Sequence, residues 1–197
     1  MIPERRPLLI VSLPRNDPAL ARAATDGGAD VLKVHVNVRH LASGTVFGTL
    51  AEERTRLEQI LAIGLPTGLV PGEAEMLAPE EMPEIRRMGF AFLDAFIDTI
   101  RPHLYEAGIP VVPPEGYGKP PEKADLDVLR RVGEATRKKL IVPTQRRLAP
   151  DDAGRYFEIR YVTALMIGAI VTGLESASLG TATAAFRRAL DRVSPWR

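Results

Sequence analysis

Short apolar runs with a period of two alternate along the chain with longer segments whose apolar positions recur every three to four residues, the pattern of strands alternating with helices. Residues 8–13 form a first apolar strand, closed by Pro14. Asp17-Pro18 opens a helix, an N-cap residue followed by proline at the first helical position, and Gly27-Gly28 ends it. The stretch 30–40, Asp-Val-Leu-Lys-Val-His-Val-Asn-Val-Arg-His, then reads as a second strand. Alternation places Leu32, Val34 and Val36 on one face and Lys33, His35 and Asn37 on the other. A glycine-punctuated loop, 41–48, leads to Thr49-Leu-Ala-Glu52, a capping box that opens a helix to about residue 63.

The same rhythm predicts a strand at 67–70, a helix at 79–88 stopped by Gly89, a strand at 90–97, a helix at 98–107 and a strand at 109–112. A Pro- and Gly-rich loop, 113–124, follows. Asp125 is expected to cap a helix to residue 137, before a strand at 140–142, a helix at 150–160, a strand at 162–170 and a last amphipathic helix at 179–193. Seven strand–helix units in a single domain, 1–197, predict a (β/α)8-type TIM barrel shortened to seven βα units, since such barrels usually run to about 250 residues. The alternative is an open doubly wound parallel sheet. Four expected strands run into proline, at Leu13-Pro14, Val70-Pro71, Val112-Pro113 and Val142-Pro143. Proline cannot donate to the ladder, so it stops the strand and stiffens the loop where either fold builds its site.

Composition narrows the function classes. Lys+Arg 26 against Asp+Glu 25 gives +1, with no long single-sign block, so neither nucleic acid nor a membrane surface is an expected partner. There is no cysteine, which excludes disulfides, thiolate metal sites and cysteine nucleophiles. A charged amino-terminal stretch without a signal-peptide core, and no apolar run long enough for a bilayer, lead to the expectation of a cytoplasmic protein. Of five lysines beside 21 arginines, Lys33 alone falls in a strand.

That strand carries the candidate chemistry. Parallel sheets are usually covered on both sides, so Lys33 and His35 should be enclosed, and enclosed ionisable groups need partners or a purpose. In the fourth strand Asp94 shares the parity of Phe90, Phe92 and Phe96. Interior layers of a barrel draw side chains from alternate strands, so Lys33 and Asp94 can meet across the interior. Paired with Asp94, Lys33 stays charged; weakly paired and desolvated, it becomes a base or a Schiff-base amine; the alternative is a structural ion pair filling the barrel. His35 suits general acid–base work, its alternative being a histidine bonded to backbone. Asn37, Arg39 and His40 follow at the ligand end of that strand. Glu115 and Tyr117 are candidates for a general base or a lid, or simply parts of a surface loop. A second cluster joins Gln145, Arg146 and Arg147 to Gly168, Thr172, Gly173 and Ser176, residue types that bind an anion through side-chain donors and backbone N–H groups, though small residues also permit close packing. His35, Asp94 and Glu115 have ligand types suited to a metal, but no spacing supports one, so neither metal nor cofactor is expected.

The stretch Ala164-Leu-Met-Ile-Gly168, followed by a loop and a terminal helix, and the passage Gly27-Gly-Ala-Asp-Val-Leu-Lys33 resemble the phosphate-binding (β/α)8 barrels. This superfamily includes the isomerases of histidine and tryptophan biosynthesis, N-acylmannosamine-6-phosphate epimerase and geranylgeranylglyceryl phosphate synthase. The resemblance implies a phosphate role for Gly168 and Gly173, and a catalytic role for Lys33 like that of the lysine of indole-glycerol-phosphate synthase. Two departures accompany it: the chain is one βα unit short, and residues 144–147 replace the glycine-rich loop that usually follows the seventh strand. The expected function is an isomerase, epimerase or lyase acting on a small phosphorylated or anionic metabolite, in a homo-oligomer. The alternative is a catalytically inert shortened barrel used for ligand binding or assembly, its open edge covered by a partner subunit.

Overall fold

A computed structural model of the chain describes residues 7–94, 117–137, 139–143 and 145–193. Its strands are β1 (Leu8–Ser12), β2 (Val31–His35), β3 (Thr67–Val70), β4 (Phe92–Leu93), β5 (Leu140–Pro143) and β6 (Val162–Ile167). The helices are α1 (Pro18–Asp26), α2 (Leu50–Leu61), α3 (Met82–Met88), α4 (Lys123–Thr136), α5 (Gly154–Phe157), α6 (Ala169–Thr172) and α7 (Ser176–Asp191). All six strands pair in parallel, in the order β4-β3-β2-β1-β6-β5. The last strand therefore lies against the first, with each flanking strand next to its neighbour in sequence, as in consecutive strands of a barrel wall. Among the described residues the sheet curls into a half-barrel with helices between its strands, consistent with a shortened TIM barrel or an open α/β fold.

The two faces of the sheet bury different things. Leu9, Val11, Leu32, Val34, Leu69, Leu165 and Ile167 pack outward against Leu20, Leu57, Ile60, Leu179, Phe186 and Leu190 of the helices. Ile10, Val31, Ala164 and Met166 form a smaller inner cluster, flanked by Leu8, Phe92 and Ile141. Burial of both faces is what separates this sheet from a half-exposed antiparallel one. No helix among the described residues is long and apolar enough to cross a membrane.

Local chemistry explains the element ends. Asp17 accepts from the Ala19 amide at 2.8 Å with Pro18 behind it, and Thr49 and Glu52 form the expected capping box. Among the described residues of the expected strand 90–97, β4 covers Phe92 and Leu93, which pair with Gly68 and Leu69 of β3, and the Ala91 and Asp94 amides on either side donate to Thr67 and Leu69 of β3. Helix α4 starts at Lys123, capped by Glu122; Asp125 sits at its third position and accepts from the Glu122 amide at 2.8 Å. Pro150 and Gly154 divide the expected helix 150–160 into a 3-10 turn, Pro150–Asp152, and the single turn of α5. Strand β6 stops at Ile167 instead of 170, since the Gly168 carbonyl accepts from the amides of Val171 and Thr172 and turns the chain into α6. The terminal helix begins at Ser176, ahead of the expected start. The expected helix 98–107 and strand 109–112 lie outside the described residues, as does the part of strand 90–97 beyond Asp94.

At the amino-terminal ends of the strands, Arg187 of α7 reaches under the sheet. Its Nη1 donates to Asp30 Oδ2 at 2.8 Å and to the Pro7 carbonyl at 3.3 Å, while Nε donates to Asp191 Oδ1 at 2.8 Å. Asp30 Oδ2 also accepts from the Leu9 amide at 2.9 Å, so one buried carboxylate joins β1, β2 and α7. Removing one member of a buried pair leaves the other uncompensated. Asp30→Asn is therefore expected to lower stability by about 3–5 kcal/mol. Urea unfolding measures this, and a loss under about 1 kcal/mol would show that the pair does not hold α7 to the sheet.

Candidate active site

Register brings one polar row to the carboxyl ends of the strands on the inner face. Ser12 of β1 lies beside Lys33 of β2, Lys33 beside Gly68 of β3, and Gly68 beside Phe92 of β4. Gly68 matters because it has no side chain: a Cβ there would run into the Phe92 ring. Lys33 Nζ lies 3.1 Å from Asp94 Oδ2, with the two side chains 14% and 17% exposed. The inner-face contact expected from strand parity is thus present in the geometry.

His35, one layer above Lys33, is 2% exposed. Its main chain is held by a side chain that mimics a strand. Pro14 ends the β1 ladder, and Asn16 takes over, donating Nδ2–H to the His35 carbonyl at 2.7 Å and accepting from the His35 amide at 3.3 Å. Asn16 is itself fixed by a 3.1 Å bond to buried Glu53 of α2. Beyond His35 the chain does not leave the sheet as a plain loop. Residues 37–48 fold back as a small antiparallel hairpin, with Asn37 in the left-handed region at φ 53 and bonds from Asn37 N to Gly48 O and from Phe47 N to Val38 O. The hairpin lays His40 and Phe47 against His35, with ring centroids 4.9 and 4.7 Å away.

This enclosure sets the charge of both imidazoles. Burial pushes the His35 pKa well below its usual value, with Lys33 and then His40 adding to the effect. Burial first and Lys33 second lower His40 to about 4. Both rings are neutral at physiological pH, so His35 is a proton acceptor or hydrogen-bonding group rather than a resting imidazolium. Its Nδ1 is buried without a hydrogen-bond partner among the described residues, and so is Ser12 Oγ in the row below. A buried polar atom left unbonded is costly, and these two lie near Lys33, Ser12 beside it in register and His35 two residues on.

The residues expected to hold an anion divide in the structure. Gly168 follows β6 beside Ser12, and a methyl there would meet Ser12 Cβ only at 3.5 Å, so packing does not demand glycine at that position. Gly173 has φ 70, a left-handed conformation that favours glycine, and its place closes α6. Thr172 is buried and donates its hydroxyl to the Gly173 carbonyl at 3.0 Å. Gln145 Nε2 donates to Tyr117 Oη at 2.7 Å. Burial keeps the Tyr117 phenol protonated by pushing its pKa up, the Gln145 bond opposing this and Glu73 adding to it. Arg146 turns elsewhere: Nε and Nη2 donate to Asp125 at 3.0 and 3.1 Å, and Nη1 lies 3.4 Å from Glu122. That fork ties the loop after β5 to α4, so the guanidinium expected to hold an anion is engaged with carboxylates instead.

Glu115 and Thr144 lie outside the described residues. Among the described residues no group of three His, Asp or Glu side chains could hold a metal. Ser12, Asn16 and Phe47 carry parts of this site and had no sequence-level assignment. Ser12 alone left a signal, sharing the parity of Leu8 and Ile10 just before the strand-ending proline.

No protein-family model matches the chain, and no curated protein sequence matches it. Its likeness is to solved structures. Tryptophan synthase from M. tuberculosis superposes with a TM-score of 0.63 at 14% identity, covering 95% of this chain and 93% of that one. Phosphoribosyl anthranilate isomerase from Thermus thermophilus gives 0.62 at 13% identity, covering 95% and 100%. N-(5'-phosphoribosyl)anthranilate isomerase from Pyrococcus furiosus gives 0.57 at 14%, again covering 95% and 100%. At such identities the likeness is one of fold, of the TIM-barrel type.

The depressed histidines make stability depend on pH in a definite direction. Unfolded, each imidazole titrates near 6.5; folded, His40 titrates at about 4 and His35 well below its usual value. Below pH 6.5 the unfolded chain binds more protons, so stability is full above that pH and falls as pH drops towards 4, by about 1.4 kcal/mol per pH unit for each histidine involved. His40→Gln is expected to make this decline shallower. Urea unfolding at a series of pH values between 7 and about 4.5 checks it, and superimposable pH profiles for the two proteins would contradict the depressed titration.

Proposed function

We propose that this chain is a barrel enzyme that moves a proton on a small phosphorylated or otherwise anionic metabolite, as an isomerase, epimerase or lyase does. The observation behind the proposal is the Lys33–Asp94 pair, held at 3.1 Å at the carboxyl ends of the inner-face strands, with a neutral His35 one layer above. In this reading His35 accepts the proton from carbon, and the Lys33 ammonium faces the oxygen on which negative charge develops. Asp94 orients that ammonium. The metabolite's anionic group lies towards Gly168 and Gly173, with Asn37 and Gln145 as side-chain donors. The fold shared with an isomerase and a synthase supports an enzyme, and the chemistry is argued from these side chains.

A Schiff-base version requires Lys33 to lose its proton first, and Asp94 is the acceptor at hand. Borohydride trapping separates the two versions, since the acid–base reading leaves Lys33 unmodified with every substrate. The broader test needs no knowledge of the product. A panel of phosphorylated aldoses, ketoses and keto acids is incubated in deuterium oxide, and NMR follows deuterium entering the carbon next to the carbonyl. With any compound that exchanges, Lys33→Met is expected to slow exchange by at least about 100-fold and Asp94→Asn by less. Undiminished exchange in Lys33→Met would contradict the proposal.

A further inference from the structure

We infer that His40, carried on the 37–48 hairpin, is a second imidazole of this site and takes up one proton at Nε2 when an oxyanion is held beside Lys33. The inference rests on the reading of Lys33 as a ligand-facing cation and adds a proton linkage to that same site. It is carried first by a tautomer that the hydrogen bonds assign. Ser43 Oγ has one hydrogen, which it donates to the Pro14 carbonyl at 2.9 Å. Its 2.7 Å contact with His40 Nδ1 must then be donated by the ring. In the neutral imidazole the proton sits on Nδ1, leaving Nε2 as the basic nitrogen.

The second support is placement. The hairpin is closed by the bond from His40 N to Thr45 O at 2.8 Å and latched to the β1–α1 loop through Ser43, so His40 is held against His35 rather than swinging free. Burial first and then the charged groups around the pair keep His40 neutral. Lys33 from β2 repels a proton on either ring. Asp94, directly after β4, is bound to Lys33, and Glu53 from α2 is engaged by Asn16 and by Arg56 at 3.5 Å. Arg15 and Asp17 on the β1–α1 loop pair with each other at 3.3 Å, and Arg39 lies on the hairpin itself. An oxyanion beside Lys33 reverses the sign of the field at His40, and the proton that enters comes from solvent.

Sulfate is the probe, because it stays a dianion throughout the range and brings no proton of its own. Calorimetric titration at pH 7, 6 and 5, in two buffers of different ionisation enthalpy, counts the protons taken up. Wild type is expected to bind sulfate more tightly as pH falls, approaching tenfold per unit below about pH 6, with uptake approaching one proton per sulfate. His40→Gln should keep sulfate binding and lose most of the uptake, and Lys33→Met should lose the pH-dependent binding altogether. NMR of the His40 Cε1–H in wild type, with and without sulfate, reads the same change without relying on a variant's folding, as a rise in the pH at which the ring titrates. Sulfate held through Lys33 with no proton uptake, or with undiminished uptake in His40→Gln, would overturn the role of His40 alone. Absent binding in wild type, or identical binding in Lys33→Met, would overturn the ligand-facing reading of Lys33 and this inference with it.

Discussion

An ammonium on the inner face of a parallel sheet has little water to answer it, and in this chain Asp94 provides the answer at 3.1 Å. Much of the neighbouring structure makes that contact feasible. Gly68 stands between the two strands and has no side chain, so Phe92 can lie across it and strand β4 can carry Asp94 up beside Lys33. The positive charge fixed in this way then governs the residues around it. It helps hold His35 and His40 in their neutral forms, and it lies beside Ser12 Oγ and below His35 Nδ1, two buried atoms without hydrogen-bond partners among the described residues.

The ends of the sheet divide the work. At the amino-terminal ends, Asp30 and Arg187 bind each other, the Leu9 amide and the Pro7 carbonyl, an arrangement that joins elements, with Arg187 Nη2 buried and without a hydrogen-bond partner among the described residues. At the carboxyl ends the polar groups are incompletely satisfied, and a folded-back hairpin covers them. Barrel folds separate stability from chemistry in this way, because the loops that follow the strands can vary without disturbing the helices packed outside.

Period-two alternation was enough to place Lys33 and His35 on one face of their strand, since side-chain direction in a strand follows from backbone geometry alone, while Asp94 joined them through the layering of a barrel interior. Caps at Asp17 and Thr49 were equally legible, being bonds between residues two or three apart. What could not be read were the contacts that depend on the fold being formed. Alternation carried the expected second strand on to residue 40, but β2 ends at His35 and the chain turns at Asn37 into the 37–48 hairpin, which takes shape by leaning on Pro14 and His35. Asn16 acts as a surrogate strand for His35 only because Pro14 ends β1 beside it. Arg146 looked free to hold an anion until α4 brought Asp125 to it across 21 positions of sequence. The end of β6 was misplaced because Ile167-Gly-Ala-Ile-Val171 carries no polar side chain and reads alike as strand or buried helix.

The whole site depends on Lys33 and Asp94 meeting on the enclosed face. A double-mutant cycle measures that meeting directly, comparing the unfolding free energies of wild type, Lys33→Met, Asp94→Asn and the combined variant. Contact predicts that the double variant is less destabilised than the sum of the singles, with a coupling of about 1–3 kcal/mol. Additivity within about 0.5 kcal/mol would mean that the two side chains do not share a bond, and the site built around Lys33 would lose its foundation.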